Sequence, residues 1–151
     1  MTDMEIASGL TAFFEQDHRD CEARWADVEE LLDAGDIDAA RPAWQKFETG
    51  MLRHLAMEEE VLFPAFESAS DMGGGGPTAV MRTEHQHMRE LLEQIAVAMK
   101  SGDEEQAMDI GDTLLMLAQQ HSEKEEDMLY PMAENLLADD WAKLAELLEK
   151  Y

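Results

Sequence analysis

One eleven-residue pattern occurs twice in this chain. From His54 to Pro64 the sequence reads His-Leu-Ala-Met-Glu-Glu-Glu-Val-Leu-Phe-Pro, and from His121 to Pro131 it reads His-Ser-Glu-Lys-Glu-Glu-Asp-Met-Leu-Tyr-Pro. Both fit His-x-x-x-Glu-Glu-x-x-Leu-aromatic-Pro, with an offset of 67 residues. The same offset carries His18 onto His85, Gly35 onto Gly102 and Asp36 onto Asp103. Agreement at so many separated positions implies two helix pairs related by a pseudo-two-fold axis. A chain of 151 residues suits one domain with one sizeable core. The expected organisation is therefore a single domain over 1–151. Its pseudo-repeats span about 10–70 and 78–137, joined by a linker at Gly73–Pro77.

The repeated units are helical by their periodicity. Ala, Leu, Met, Glu and Gln dominate, and β-branched residues are sparse. Leu10, Phe14, His18, Cys21, Trp25, Val28 and Leu32 step by three and four, as do Trp44, Phe47, Met51, His54, Glu58 and Val61. Met81, His85, Met88, Leu92, Ile95 and Met99 form a third seam, and Ile110, Leu114, Leu117, His121, Glu125 and Met128 a fourth. Gly35 and Gly102 suit helix C′ positions, and the Asp that follows each can cap the next helix. Pro64 and Pro131 should end or kink the second and fourth helices. Asp139 or Asp140 could cap a short last helix carrying Trp141, Leu144 and Leu148. The resulting fold class is all-α, an antiparallel up-down four-helix bundle with a short C-terminal helix across its end.

Residues four apart share a helix face, so His54 projects with Glu58 and His121 with Glu125. His18 and His85 lie in their own seams and point at the same axis. A single seam histidine reads as a buried imidazole bonded to a neighbour. Four histidines and two glutamates converging in one core are different. Two buried carboxylates cost several kcal/mol each without compensating charge, and no Lys or Arg occupies the seams. A pair of metal ions would supply that charge. Imidazole with carboxylate suits iron, manganese or zinc, and one cysteine is too few for a thiolate site. The pseudo-symmetry asks for two histidines per metal and two bridging carboxylates.

Charge narrows the partners. Eleven Lys and Arg face 35 Asp and Glu, a net charge of −24, which excludes nucleic acid and anionic membrane surfaces as natural partners. The excess reads either as solubility or salt adaptation, or as a means of concentrating cations. Cys21 stands alone, which points to a reducing compartment. The first residues carry neither a basic nor an apolar secretory region, and no apolar run reaches membrane-spanning length. A cytoplasmic location is the expectation.

The doubled motif resembles the hemerythrin-like HHE cation-binding family, over about Leu10 to Pro131. That resemblance implies a non-haem di-iron centre inside a four-helix bundle. It implies that His18 and His54 bind one iron, that His85 and His121 bind the other, and that Glu58 and Glu125 bridge them. An oxo, hydroxo or water bridge would complete the pair. The implied ligands are O2 or NO, bound for sensing, storage or detoxification. Oxidoreductase chemistry on peroxide or NO is the first alternative. Iron storage or donation, or repair of damaged iron–sulfur centres, is the second, and no redox partner is specified.

One position departs from the oxygen-carrying hemerythrins, which place a fifth histidine one turn after the first histidine of the third helix. Here it is Arg89, expected to bend away and pair with a carboxylate such as Glu93. His87 lies about 200° around the helix from His85 and should face solvent. The chain also resembles the iron–sulfur repair proteins in its Glu84-His85 pair, but its one cysteine, Cys21, falls within a helix. Cys21 is read as a small buried hydrophobe, and the methionines near the ligands as gap fillers. Glu59, Glu60, Glu126 and Asp127 read as a solvated face, unless one of them hydrogen-bonds a ligand histidine.

Overall fold

The computed structural model describes residues 9–72 and 75–151. The linker expected at Gly73–Pro77 therefore falls partly outside the described residues, and the amino-terminal segment Met1–Ser8 falls wholly outside them. Among the described residues every regular element is helical. Helix α1 spans Leu10–Asp33 and α2 spans Ile37–Met57, and a π turn at Glu58–Leu62 continues α2 into α3, Phe63–Ser70. The second half repeats this plan. Helix α4 spans Pro77–Ser101 and α5 spans Glu104–Lys124, with a π turn at Glu125–Leu129 leading into α6, Tyr130–Leu136. A short 3₁₀ segment precedes α7, Trp141–Leu148.

The connections form as the sequence requires. Gly35 and Gly102 take φ of 77° and 78°, the left-handed conformation that a side chain would strain. Asp36 then accepts a hydrogen bond from the Ala39 N–H, and Asp103 from the Gln106 N–H, each at 3.1 Å. These tight reversals pair α1 with α2 and α4 with α5 as antiparallel neighbours. Asp140 stands at the N-cap of α7 but makes no side-chain cap bond, so neither aspartate plays the part expected there.

Neither Pro64 nor Pro131 ends the run of helical backbone. In each case the chain passes through a π turn first. The Phe63 N–H bonds the Glu58 carbonyl five residues back, and the Tyr130 N–H bonds that of Glu125. Pro64 has no N–H to give the next carbonyl in that register, Glu59, and Arg82 supplies a donor to it at 3.5 Å instead. The extra residue in the turn also rotates the helix beyond it. Leu62 and Leu129 are core positions in both halves; Val61 is buried as its seam implies, whereas its counterpart Met128, assigned to the fourth seam, is exposed. That seam runs instead through Ala107, Gly111 and Leu114. A Cβ at Gly111 would lie 2.0 Å from the Trp25 ring, so the indole packs against bare backbone where Ile110 was expected to point.

Two apolar clusters fill the bundle. One holds Trp25, Val28, Trp44, Phe47, Leu92, Ile95 and Leu114. The other holds Leu10, Phe14, Leu62, Phe63, Phe66, Leu129 and Tyr130, and α7 closes it with Leu144 and Leu148. The two are separated by a layer of buried polar side chains, and that layer is the site.

Candidate metal centre

His18, His54, Glu58, His85, His121 and Glu125 are all buried, and the two glutamates show no exposed surface. Helices α1 and α4 deliver one histidine each. Helices α2 and α5 deliver the other two, and the π turns begin on the two glutamates. Both glutamates therefore sit where the backbone switches from i→i+4 to i→i+5 bonding.

Distances across the layer are short. His18 Nε2 lies 3.1 Å from Glu125 Oε1, and His121 Nε2 lies 3.2 Å from the same oxygen. Glu58 Oε1 is 3.3 Å from His54 Nε2 and 3.2 Å from His85 Nε2. Ligand atoms of Glu58, His85, His121 and Glu125 all lie within 4.8 Å of one another, and so do those of His18, His54 and Glu125. All six residues read from the sequence are thus brought together, as two groups that share Glu125.

The outer nitrogens explain why the inner ones converge. Each Nδ1 meets a carboxylate: Asp17 for His54 at 2.7 Å, Glu84 for His121 at 2.8 Å, Glu59 for His85 at 2.7 Å and Glu126 for His18 at 2.8 Å. A carboxylate on Nδ1 holds the proton there and turns a bare Nε2 inward, as metal-binding histidines require. These partners obey the 67-residue offset too. Asp17 and Glu84 each precede a histidine and serve the other histidine of their own half. Glu59 and Glu126 each follow a glutamate and serve the opposite half. A third layer lies outside them, with Arg53 on Asp17 at 3.4 Å, Lys124 on Glu84, and Arg89 on both oxygens of Glu59 at 3.0 and 3.1 Å.

Glu59 and Glu126 are therefore not a solvated face. Arg89 does turn from the centre to a carboxylate, but that carboxylate is Glu59 of the neighbouring half rather than Glu93. His87 is exposed, as its position around the helix implies. Tyr130 was missed as a site residue. Its hydroxyl is 2.7 Å from Glu58 Oε2 and 3.1 Å from both Glu125 Oε1 and His18 Nε2. The signal was present in the repeat, since Phe63 and Tyr130 occupy matching positions and differ by that hydroxyl alone.

Several inner atoms remain without a hydrogen bond. His54 Nε2, Glu58 Oε1 and Glu125 Oε2 are buried and unpartnered, and His85 Nε2 faces His121 Nε2 at 3.1 Å. Orphaned acceptors cost about 1–3 kcal/mol each, so their convergence needs a cation to offset it. In the absence of one, protons take its place. Burial pushes His54 and His121 toward the neutral form, but the charges of Glu58 and Glu125 outweigh it. His54 ends well above the usual imidazole range and His121 at about 10. Glu58 is held well below the usual carboxylate range despite its burial, chiefly by the charge of His54. Burial, reinforced by both glutamates, raises Tyr130 well above an ordinary phenol. The donor set, imidazole nitrogens and carboxylate oxygens only, fits a divalent first-row metal.

The family model for the hemerythrin HHE cation binding domain matches residues 9–133, with a second, overlapping match over 77–150. The chain belongs to the hemerythrin HHE cation-binding family. No curated protein and no solved structure matches it. For this hemerythrin HHE domain, membership and the buried His/Glu cluster together indicate a metal-binding site. None of the described helices is long and apolar enough to cross a membrane.

Proposed function

We propose that this hemerythrin HHE domain holds two iron ions on His18, His54, Glu58, His85, His121 and Glu125 and binds a diatomic gas, O2 or NO, there. His18 and His54 would hold one ion, His85 and His121 the other, with Glu58 and Glu125 between them and an oxo, hydroxo or water bridge completing the pair. Bound iron would supply a redox-active Lewis acid able to take a small neutral ligand reversibly. The protein's part is preparation. Asp17, Glu59, Glu84 and Glu126 orient the four imidazoles, and the apolar clusters on either side keep bulk water from the layer.

The observation that carries the ligand class is a cavity of about 30 Å³ against His18, His54 and His121, walled otherwise mainly by Cys21, Trp25, Phe47, Met51, Met88 and Leu114. One water needs roughly 10–15 Å³, so a space of this size suits a molecule as small as a diatomic. Its wall is mostly apolar, with Glu22, Gln119 and Ser122 as the polar residues besides the histidines. Iron-loaded, reduced protein mixed anaerobically with O2 or NO should show an optical change that reverses when the gas is removed. Immediate oxidation with no lasting adduct would favour oxidoreductase chemistry instead.

The surface supports a second reading. A net charge of −24 concentrates cations near the bundle, which suits iron storage or donation. Release of iron to a chelator, fast in one oxidation state and slow in the other, would favour that role over gas binding.

A further inference from the structure

The six inner histidines and glutamates match between the halves, and the aromatic rings packed on them differ by one hydroxyl. Phe63 lies over His85 with ring centroids 5.3 Å apart, and Tyr130 lies over His18 at 5.6 Å. The rings therefore do the same packing, and only Tyr130 adds a polar atom to the layer. A phenol has one proton to give, and the shortest contact, 2.7 Å, directs it to Oε2 of Glu58. Glu58 is then left with Oε1 alone, within 3.3 Å of both His54 and His85.

The consequence is visible in how the ligand atoms group. Around His85 and His121 both glutamates come within mutual reach, whereas only Glu125 does so with His18 and His54 together, Glu58 reaching His54 alone of that pair through Oε1. We infer that Tyr130 is a positioning residue that makes the two metal positions unequal: by holding Oε2 of Glu58 it keeps that oxygen from the His18–His54 position, which retains its metal less firmly than the His85–His121 position. The inference rests on the six-residue metal reading above. It assigns an order to loading and release that the ligand set alone, being symmetric, does not contain.

The test is stepwise anaerobic loading of the full chain with ⁵⁷Fe(II), read by Mössbauer spectroscopy and by release to a chelator. Wild type should fill one quadrupole doublet first and a second only with further iron. The chelator should remove the second at least ~10-fold faster, the lower end of what a partner of a metal ligand commonly controls. Tyr130→Phe, which keeps the ring and frees Glu58 Oε2, should bring the doublets together and merge the two release phases. Phe63→Tyr places a hydroxyl on the other side and should also narrow the difference, so the conclusion does not depend on one variant folding. Parallel filling of both positions in wild type would overturn the inference, as would a two-phase pattern that survives Tyr130→Phe. Failure of wild type to take up iron at all would overturn the metal reading itself, and the inference with it.

Discussion

Apart from the Tyr130 hydroxyl, which Phe63 lacks, the α1–α2 half and the α4–α5 half agree in the residues that form the centre and diverge farther out. His18, His54, Glu58 and Glu59 have counterparts of the same type in His85, His121, Glu125 and Glu126, and Asp17 corresponds to Glu84, again a carboxylate. Beyond them the halves part. Arg89 pairs with Glu59, while the position matching Arg89 in the first half is Glu22, which offers Glu126 no such partner. The cores differ as well. Gly111 stands where the first half has Trp44, and the room it leaves is filled by Trp25, whose counterpart is Leu92. The chemistry of the site constrains the inner two layers. Packing and charge outside them need only sum to the right volume and potential, so they can drift.

Removing an inner carboxylate should break the comparison outright. Glu58→Ala and Glu125→Ala should each lower occupancy at both metal positions rather than one, as metal analysis and Mössbauer spectra of the reloaded variants would show. Loss confined to one position would mean that the glutamates do not lie between the metals. The outer carboxylates come next in size. Asp17→Asn and Glu84→Gln should each weaken metal binding by about 10–100-fold, measured by competition with a chelator, and the two effects should be of similar size. A large effect in one half and none in the other would show that the second layer has drifted too.

Gly111→Ala tests the cores. The added methyl collides with Trp25, and overpacking of this kind typically costs ~1–3 kcal/mol, more than the roughly 1 kcal/mol that Ala gains over Gly in a helix. Thermal unfolding should show a lower Tm with metal content unchanged. A higher Tm would mean that Trp25 moves aside freely.

The last effect is one of pH, and only on metal-free protein. His121 has its folded pKa raised to about 10, so its contribution to stability is full below about 6.5 and is lost as pH climbs toward 10. His54, also raised, adds in the same direction. Stability of the metal-free protein, followed by urea unfolding, should therefore fall over that window. Metal-loaded protein should not show this fall, because its imidazoles are already deprotonated. Identical profiles with and without metal would contradict the assignment of these imidazoles.

Much of this was legible in the chain. The seams located the helices, and Gly35-Asp36 and Gly102-Asp103 located the turns between them. The doubled His-x-x-x-Glu supplied four residues of the centre, and the 67-residue offset added His18 and His85. The features that the sequence leaves open or hides lie off the seams or depend on a neighbouring helix. Glu59 and Glu126 come one residue after the seam glutamates, about 100° around an ideal helix, and so read as solvent-facing. They reach His85 and His18 because a partner helix passes on that side. The π turns add a residue that no heptad pattern reports, and Met128 is exposed although its counterpart Val61 is buried. The prolines that accompany the turn read more simply as helix ends. Tyr130 was hidden by its own packing role, since an aromatic ring before a proline accounts for itself without the hydroxyl.

Metal content bears most directly on the central claim that the buried layer is a two-metal centre. Protein purified from iron-supplemented culture, or reconstituted anaerobically with Fe(II), should carry close to two irons per chain, coupled to each other in the oxidised Mössbauer and EPR spectra. Fewer than about one metal per chain with all six residues intact, or zinc alone from iron-fed cells, would contradict it.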